Sequence, residues 1–214
     1  KKGGTSKLLI ATLELARQSC LIGPKSHKVA VDSTGLETHH VSHYFVKRKA
    51  SSGGYKRRRY PKLSAMCDTK SHLILSLVID RGPHPDVVEF PQLIKQGLKR
   101  QPFDVVLADA GYESEQAHIF CRKGLGIESI IPTTHRGNKK ADGSPPAIKS
   151  FFRKQMHLNF PKETYGQRWQ IETVFSMIKR RLGAHLTKRS YHPLNREICL
   201  KCITLNLMII RWLQ

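Results

Sequence analysis

Acidic residues are scarce in this chain: 16 against 37 lysines and arginines, for a formal charge of +21 and a pI near 10.1. A simple metabolic enzyme has no need of that excess. A polyanion matches it, and nucleic acid is the default polyanionic partner. Long apolar runs are missing as well; none in the sequence approaches the ~20 residues needed to span a bilayer. Cysteine is sparse and odd in number: Cys20, Cys67, Cys121, Cys199 and Cys202. Their spacings suggest no disulfide framework, so a reducing cytosol is the expected setting. Cys199 and Cys202 form a C-x-x-C inside the apolar stretch EICLKCITLNLMII, with no second pair nearby. They read as buried helix cysteines, because structural zinc needs four ligands. Internal repeats and long low-complexity tracts are also absent from the sequence.

What is present suits one substantial α/β domain, for which 214 residues suffice. Residues 6–20 read as an amphipathic helix, and residues 1–27 together as an N-terminal helix and linker, either the remnant of a preceding region or the entry to this domain. Val29 to Asp32 is a first strand. Residues 36–60 form a long polar segment rich in His, Ser, Gly, Lys and Arg, and loops of this length are usually functional or mobile. Lys62 to Asp68 and Leu73 to Asp80 read as a hairpin around TKSH. GPHPD breaks the chain, and Asp86 is expected to cap a helix over 87–99. Asp104 to Asp109 is a fourth strand, Ser114 a cap for a helix over 115–123, and Ile127 to Ile131 a fifth strand. Residues 133–160 are polar, basic and broken by Gly and Pro; helices over about 162–182 and 194–213 follow. This order implies a mixed α/β sheet with one antiparallel hairpin and parallel strands joined by crossovers.

The helix at 162–182 contains YGQRWQIETVFSMIK. At roughly 100° per residue, Tyr165, Arg168, Glu172 and Lys179 fall within an arc of about 60°. Ile171, Phe175, Ile178 and Leu182 form an apolar stripe beside them. One acid is therefore embedded among three groups able to hold phosphate, on a strip next to a core face.

The spacing Y-(2)-R-(3)-E-(6)-K resembles the signature of DDE transposases encoded by bacterial insertion sequences. Two further segments carry the resemblance: KVAVDSTG, whose short apolar strand ends in Asp32, and DVVLADAGYES, whose strand ends in Asp109. Together with Glu172 they give the three acids in family order, and the resemblance covers roughly residues 28–212, a catalytic domain expected to run from 28 to 214. It implies a ribonuclease-H-like α/β fold in which strands one and four are parallel neighbours, placing Asp32 and Asp109 side by side at the carboxyl edge where open α/β sheets hold their ligands. It implies catalysis and metal binding by Asp32, Asp109 and Glu172. Three carboxylates brought together repel unless cations neutralise them. Mg²⁺, with Mn²⁺ able to substitute, takes oxygen ligands and shares them with phosphate, and two such ions can serve an in-line displacement. Asp32 is then the ligand common to both ions. The other acids at strand ends or breaks, Asp68, Asp80, Asp86 and Asp104, read as turn or cap residues.

Tyr165, Arg168 and Lys179 are expected to touch DNA near the cleaved phosphate, Arg by bidentate contact and Lys as a mobile point charge. The clusters containing Lys56, Arg57, Arg58 and Arg59, and Arg136, Lys139 and Lys140, read as surface for the DNA backbone. His39, His40 and His43 lie in a basic loop without the partners a zinc site needs. The implied activity is that of an endonuclease and strand transferase: water cuts one strand at the element's end, and the freed 3′-hydroxyl attacks target DNA. The implied partners are element ends and target DNA, with a homodimer or higher assembly forming on DNA in a bacterial cytoplasm. Two other readings stand beside this one: a DNA-binding protein that has lost catalysis, and a ribonuclease-H-like nuclease that only hydrolyses.

Overall fold

The computed structural model describes residues 4–38, 60–135 and 146–213. In chain order these form α1 (Gly4–Gln18), β1 (Ser26–Gly35), β2 (Glu37–Thr38), β3 (Tyr60–Asp68), β4 (Ile74–Gly82), α2 (Phe90–Arg100), β5 (Phe103–Ala108), α3 (Glu115–Ile119) and β6 (Glu128–Ile130). They continue with α4 (Phe151–Leu158), α5 (Lys162–Tyr165), α6 (Gln170–Leu182), β7 (His185–Leu186) and α7 (Tyr191–Trp212). A five-stranded sheet has the order β4-β3-β1-β5-β6, and β2 pairs with β7 in a separate two-stranded ribbon. β1 runs antiparallel to β3 and parallel to β5; β5 runs parallel to β6, and β3 antiparallel to β4. This is the mixed ribonuclease-H-like sheet expected from the sequence, with strands one and four of that reading adjacent and parallel.

Consecutive residues Val29, Ala30 and Val31 are fully buried, as are Ala65, Met66 and Cys67. Neighbours on a strand point to opposite faces, so both faces of the central strands are covered by helices. α2 contributes Phe90, Leu93 and Ile94 to the core. It approaches the sheet so closely that a Cβ at Gly97 would stand 1.7 Å from Met66 Cε. α1 belongs to the same core through Leu13 and Ala16.

The free edge of the sheet, at β4, is met by α7. Asn206, fully buried, accepts a hydrogen bond from Ile74 N at 2.9 Å and donates to Ile74 O at 3.0 Å. Its amide stands where a neighbouring strand would pair, and it also donates to Thr12 Oγ1 of α1 at 3.3 Å. All five cysteines are free; Cys202 is fully buried on α7 and Cys199 partly so. Among the described residues no helix is long and apolar enough to cross a membrane.

Several element expectations need correction. The strands extend beyond the apolar runs that announced them, β1 by three residues on each side, because ladder bonding to β3 and β5 continues through Ser33 to Gly35 and back to Ser26. The expected 115–123 helix is present, as α3 continued in wider π-helical geometry over Phe120–Gly124. The polar stretch 133–160 contains α4. Its first amides are satisfied from a distance: Glu115 accepts from Phe152 N and Arg153 N, both at 3.1 Å.

Candidate active site

The β1–β5 pairing ends with Val31 opposite Ala108, so Asp32 and Asp109 leave the sheet side by side at its carboxyl edge. Each is fixed by the next backbone amides. Asp32 Oδ1 accepts from Ser33 N at 2.7 Å, and Asp109 Oδ1 accepts from Gly111 N at 2.8 Å, capping the turn Ala110–Tyr112. Asp32 is 18% exposed.

Glu172 arrives from α6, whose buried stripe of Ile171, Val174, Phe175 and Ile178 seats the helix on the sheet. The helix expected over 162–182 is not continuous. A tight 3₁₀ turn at Gly166–Trp169 separates α5 from α6. A 3₁₀ turn advances faster around its axis than an α-helix, so Tyr165 and Arg168 do not follow the simple α-helical strip. Arg168 nevertheless reaches both acids: Nη1 lies 3.5 Å from Asp32 Oδ2, and Nη2 donates to Glu172 Oε1. One guanidinium thus ties the β1 acid to the α6 acid. Glu172 remains open to solvent, with 56% of its side chain exposed. Lys179, further along α6, donates from Nζ to Thr34 Oγ1 at 2.8 Å. Asp32, Thr34, Glu172, Ser176 and Lys179 line one cleft of about 450 Å³. Tyr165 turns its ring onto Phe160, centroids 4.9 Å apart, against the buried Val105, Leu107 and Ile130.

The electrostatics match this crowding. Burial, with added repulsion from Asp109 and Glu172, pushes the Asp32 carboxyl up to about 6, against the lowering effects of the Ser33 amide and Arg168. Tyr165 is likewise raised, first by burial and then by Asp109 and Asp32. The phenol of Tyr112, buried beneath the site, is raised for the same reasons and stays neutral.

Asp86 is the residue that sequence reasoning misplaced. It caps no helix; α2 begins at Phe90, with no side-chain cap bond. Asp86 Oδ1 instead accepts from Ser33 Oγ and pairs with Lys62 Nζ at 2.6 Å. A Cβ at Gly111 would lie 3.0 Å from Asp109 Oδ1 and 3.2 Å from Asp86 Oδ2, so both carboxylates come close to this glycine. A cap and a site acid look alike after a proline break, so only the fold reveals this fourth carboxylate. Lys62 itself is buried, 4% exposed. Burial works against its charge, but bonding to Asp86 and Glu89 outweighs this and its pKa is raised.

Of the residues expected to bind DNA, Tyr165, Arg168 and Lys179 surround the acids. Lys56, Arg57, Arg58, Arg59, Arg136, Lys139 and Lys140 lie outside the described residues, as do His39, His40 and His43.

No curated protein matches the chain. Among solved structures, the catalytic core domain of BIV integrase aligns at 13% identity and a TM-score of 0.32, covering 85% of this chain and 99% of that one. The Mos1 mariner paired end complex with Mn aligns at 13% identity and a TM-score of 0.30, covering 96% of this chain and 63% of that one. The family described as transposase DDE domain matches residues 23–207. With that match spanning most of its length, the chain belongs to the transposase DDE domain family.

Proposed function

We propose that this chain cleaves DNA strands and transfers their ends in a divalent-metal-dependent reaction, acting on the ends of a mobile element and on target DNA. The observation that carries the reading is the meeting of Asp32, Asp109 and Glu172, from β1, β5 and α6, at one edge of the sheet. The donor set fits Mg²⁺ or Mn²⁺: hard carboxylate oxygens only, in a setting where burial first, and then repulsion from Asp109 and Glu172, pushes Asp32 up to about 6. When bound, two such ions supply charge neutralisation for the attacking and leaving oxygens of an in-line displacement.

The chain's own groups then have separate tasks. Asp32 and Asp109 are rigid, each held by a backbone amide, while the exposed Glu172 is oriented by Arg168. Arg168 also offers phosphate a guanidinium once its hold on Asp32 loosens, since planar two-pronged donation suits both carboxylate and phosphate. Lys179 forms the far wall of the cleft and contacts the DNA backbone. In the first step a water oxygen displaces the 3′-oxygen of a phosphodiester, leaving a 3′-hydroxyl. In the second that hydroxyl displaces the corresponding oxygen of target DNA. Neither step needs a covalent protein intermediate. Assembly on DNA as a homodimer or higher brings two ends together.

The test is a nicking and strand-transfer assay. Asp32→Asn, Asp109→Asn and Glu172→Gln are each expected to abolish cleavage while DNA binding persists, because shape is kept and ligand charge is lost. Near-normal cleavage by any one removes that residue from the site. Nicking without joining of 3′-hydroxyl ends would favour the nuclease reading, and DNA binding without nicking the non-catalytic one.

A further inference from the structure

The turn between β4 and α2 carries a second cluster outside the three-acid edge. Asp80, His84 and Glu89 each offer one atom, all within 4.8 Å of one another. His84 Nε2 lies 2.8 Å from Glu89 Oε1 and 3.4 Å from Asp80 Oδ2. Atoms sharing a cation at bonds of about 2.0–2.1 Å in tetrahedral array sit roughly 3.3 Å apart, within this range. Glu89 is 5% exposed, and neither its Oε1 nor His84 Nε2 makes a hydrogen bond, although both are shielded from water. Their close approach is off the axis such a bond requires. Two ligands of one ion meet in that off-axis way, because the ion occupies the lone-pair direction of both.

Hydrogen-bond accounting sharpens the point. Lys62 Nζ has three protons and three oxygen partners: Asp86 Oδ1 at 2.6 Å, Glu89 Oε2 at 3.1 Å and His84 O at 3.1 Å. His84 Nδ1 stands 3.3 Å from the same ammonium. In the tautomer whose Nδ1 donates to Pro85 O, 3.4 Å away, Nε2 presents a bare lone pair. A ring nitrogen donating to a backbone carbonyl while the other faces a carboxylate pair is the arrangement of a metal-bound histidine. Asp80, Asp86 and Glu89 against Lys62 leave a formal charge of two negatives, which one divalent cation balances.

We propose that Asp80, His84 and Glu89 bind one borderline divalent cation of the Zn²⁺ type. The imidazole separates this site from the oxygen-only edge that suits Mg²⁺. The ion would pin the turn bearing Asp86, and through Lys62 would steady Asp86 beside Asp109. The full chain, stripped with chelator, is titrated with Zn²⁺ in excess Mg²⁺, reading stoichiometry by calorimetry and thermal shift together. Wild type and Asp109→Asn are expected to bind one Zn²⁺ equivalent that His84→Ala lacks or binds at least about tenfold more weakly. With His39, His40 and His43 all replaced by alanine the one equivalent is expected to remain, and His84→Ala in that background to remove it, so that the separate histidine run does not confuse the count. If His84→Ala fails to fold, Asp80→Asn, at an exposed position, is expected to weaken Zn²⁺ about tenfold instead. Unchanged affinity in the folded variant, or a wild type that takes up no Zn²⁺, overturns the site and leaves the approach of His84 to Glu89 as a contact within the protein alone.

Discussion

Asp32 holds its proton more tightly than an ordinary aspartate because it is buried between two other acids, and this has a sign that can be measured. A carboxyl raised in the folded state from 3.8 to about 6 contributes stability at pH below 3.8, lost as pH rises through about 6. Asp32→Asn should therefore stabilise the metal-free protein at pH 8 by about 1–3 kcal/mol, after allowance for solvent screening, and change it little at pH 3.5. Chemical unfolding at the two pH values checks this; equal effects at both would show that burial does not control the group. Protons and divalent ions compete for the same oxygens, so metal affinity should fall below pH 6. Lys62 is the opposite case, a buried cation wanted by two acids. Lys62→Met should cost about 3–5 kcal/mol at pH 7, since it strands Asp86 and Glu89 without a counter-charge. An unfolding midpoint within experimental error of wild type would contradict that role. The three acids were legible in the sequence because each follows an apolar strand or opens a helix of clear period. Asp86 was not, since its partners Ser33 and Lys62 come from two other elements.

At the scale of elements, legibility tracks where the stabilising contacts lie. β5 and α7 announced themselves through their own apolar residues. α4 did not, because the carboxylate that satisfies its first amides is Glu115, 37 residues from Phe152. The 3₁₀ turn at Gly166–Trp169 was also hidden, as the local sequence is compatible with a plain helix and the deviation serves the reach of Arg168 to Asp32. The contact of α2 with the sheet gives a sharper test. Gly97→Ala places a methyl 1.7 Å from Met66 Cε in a fully buried layer. Met66 must change rotamer or the helix must lift, at a cost of about 1–3 kcal/mol. A Gly97→Ala variant as stable as wild type in thermal unfolding would mean that this layer has slack the close approach denies.

For the whole molecule, the excess of 37 basic over 16 acidic residues makes association with DNA strongly salt-dependent. Each neutralised phosphate contributes roughly −0.9 to the log–log slope against salt. Replacing Arg57, Arg58 and Arg59 with alanine should flatten that slope and weaken all sequences alike. Lys179→Ala should instead slow cleavage more than it weakens bulk binding, since Lys179 is tethered at Thr34 in the cleft. Salt titrations beside cleavage rates separate the two; an unchanged slope would make the arginines mere solvated charge. The bond from Asn206 to Ile74 has a consequence for synthesis. It joins residues 132 positions apart. At translation rates of about 5–20 residues per second, Asn206 is made roughly 7–26 s after the strand it covers. For that interval the edge of β4 is an open template for another nascent chain, so crowded polysomes, rather than dilute refolding, are where aggregation should be greatest.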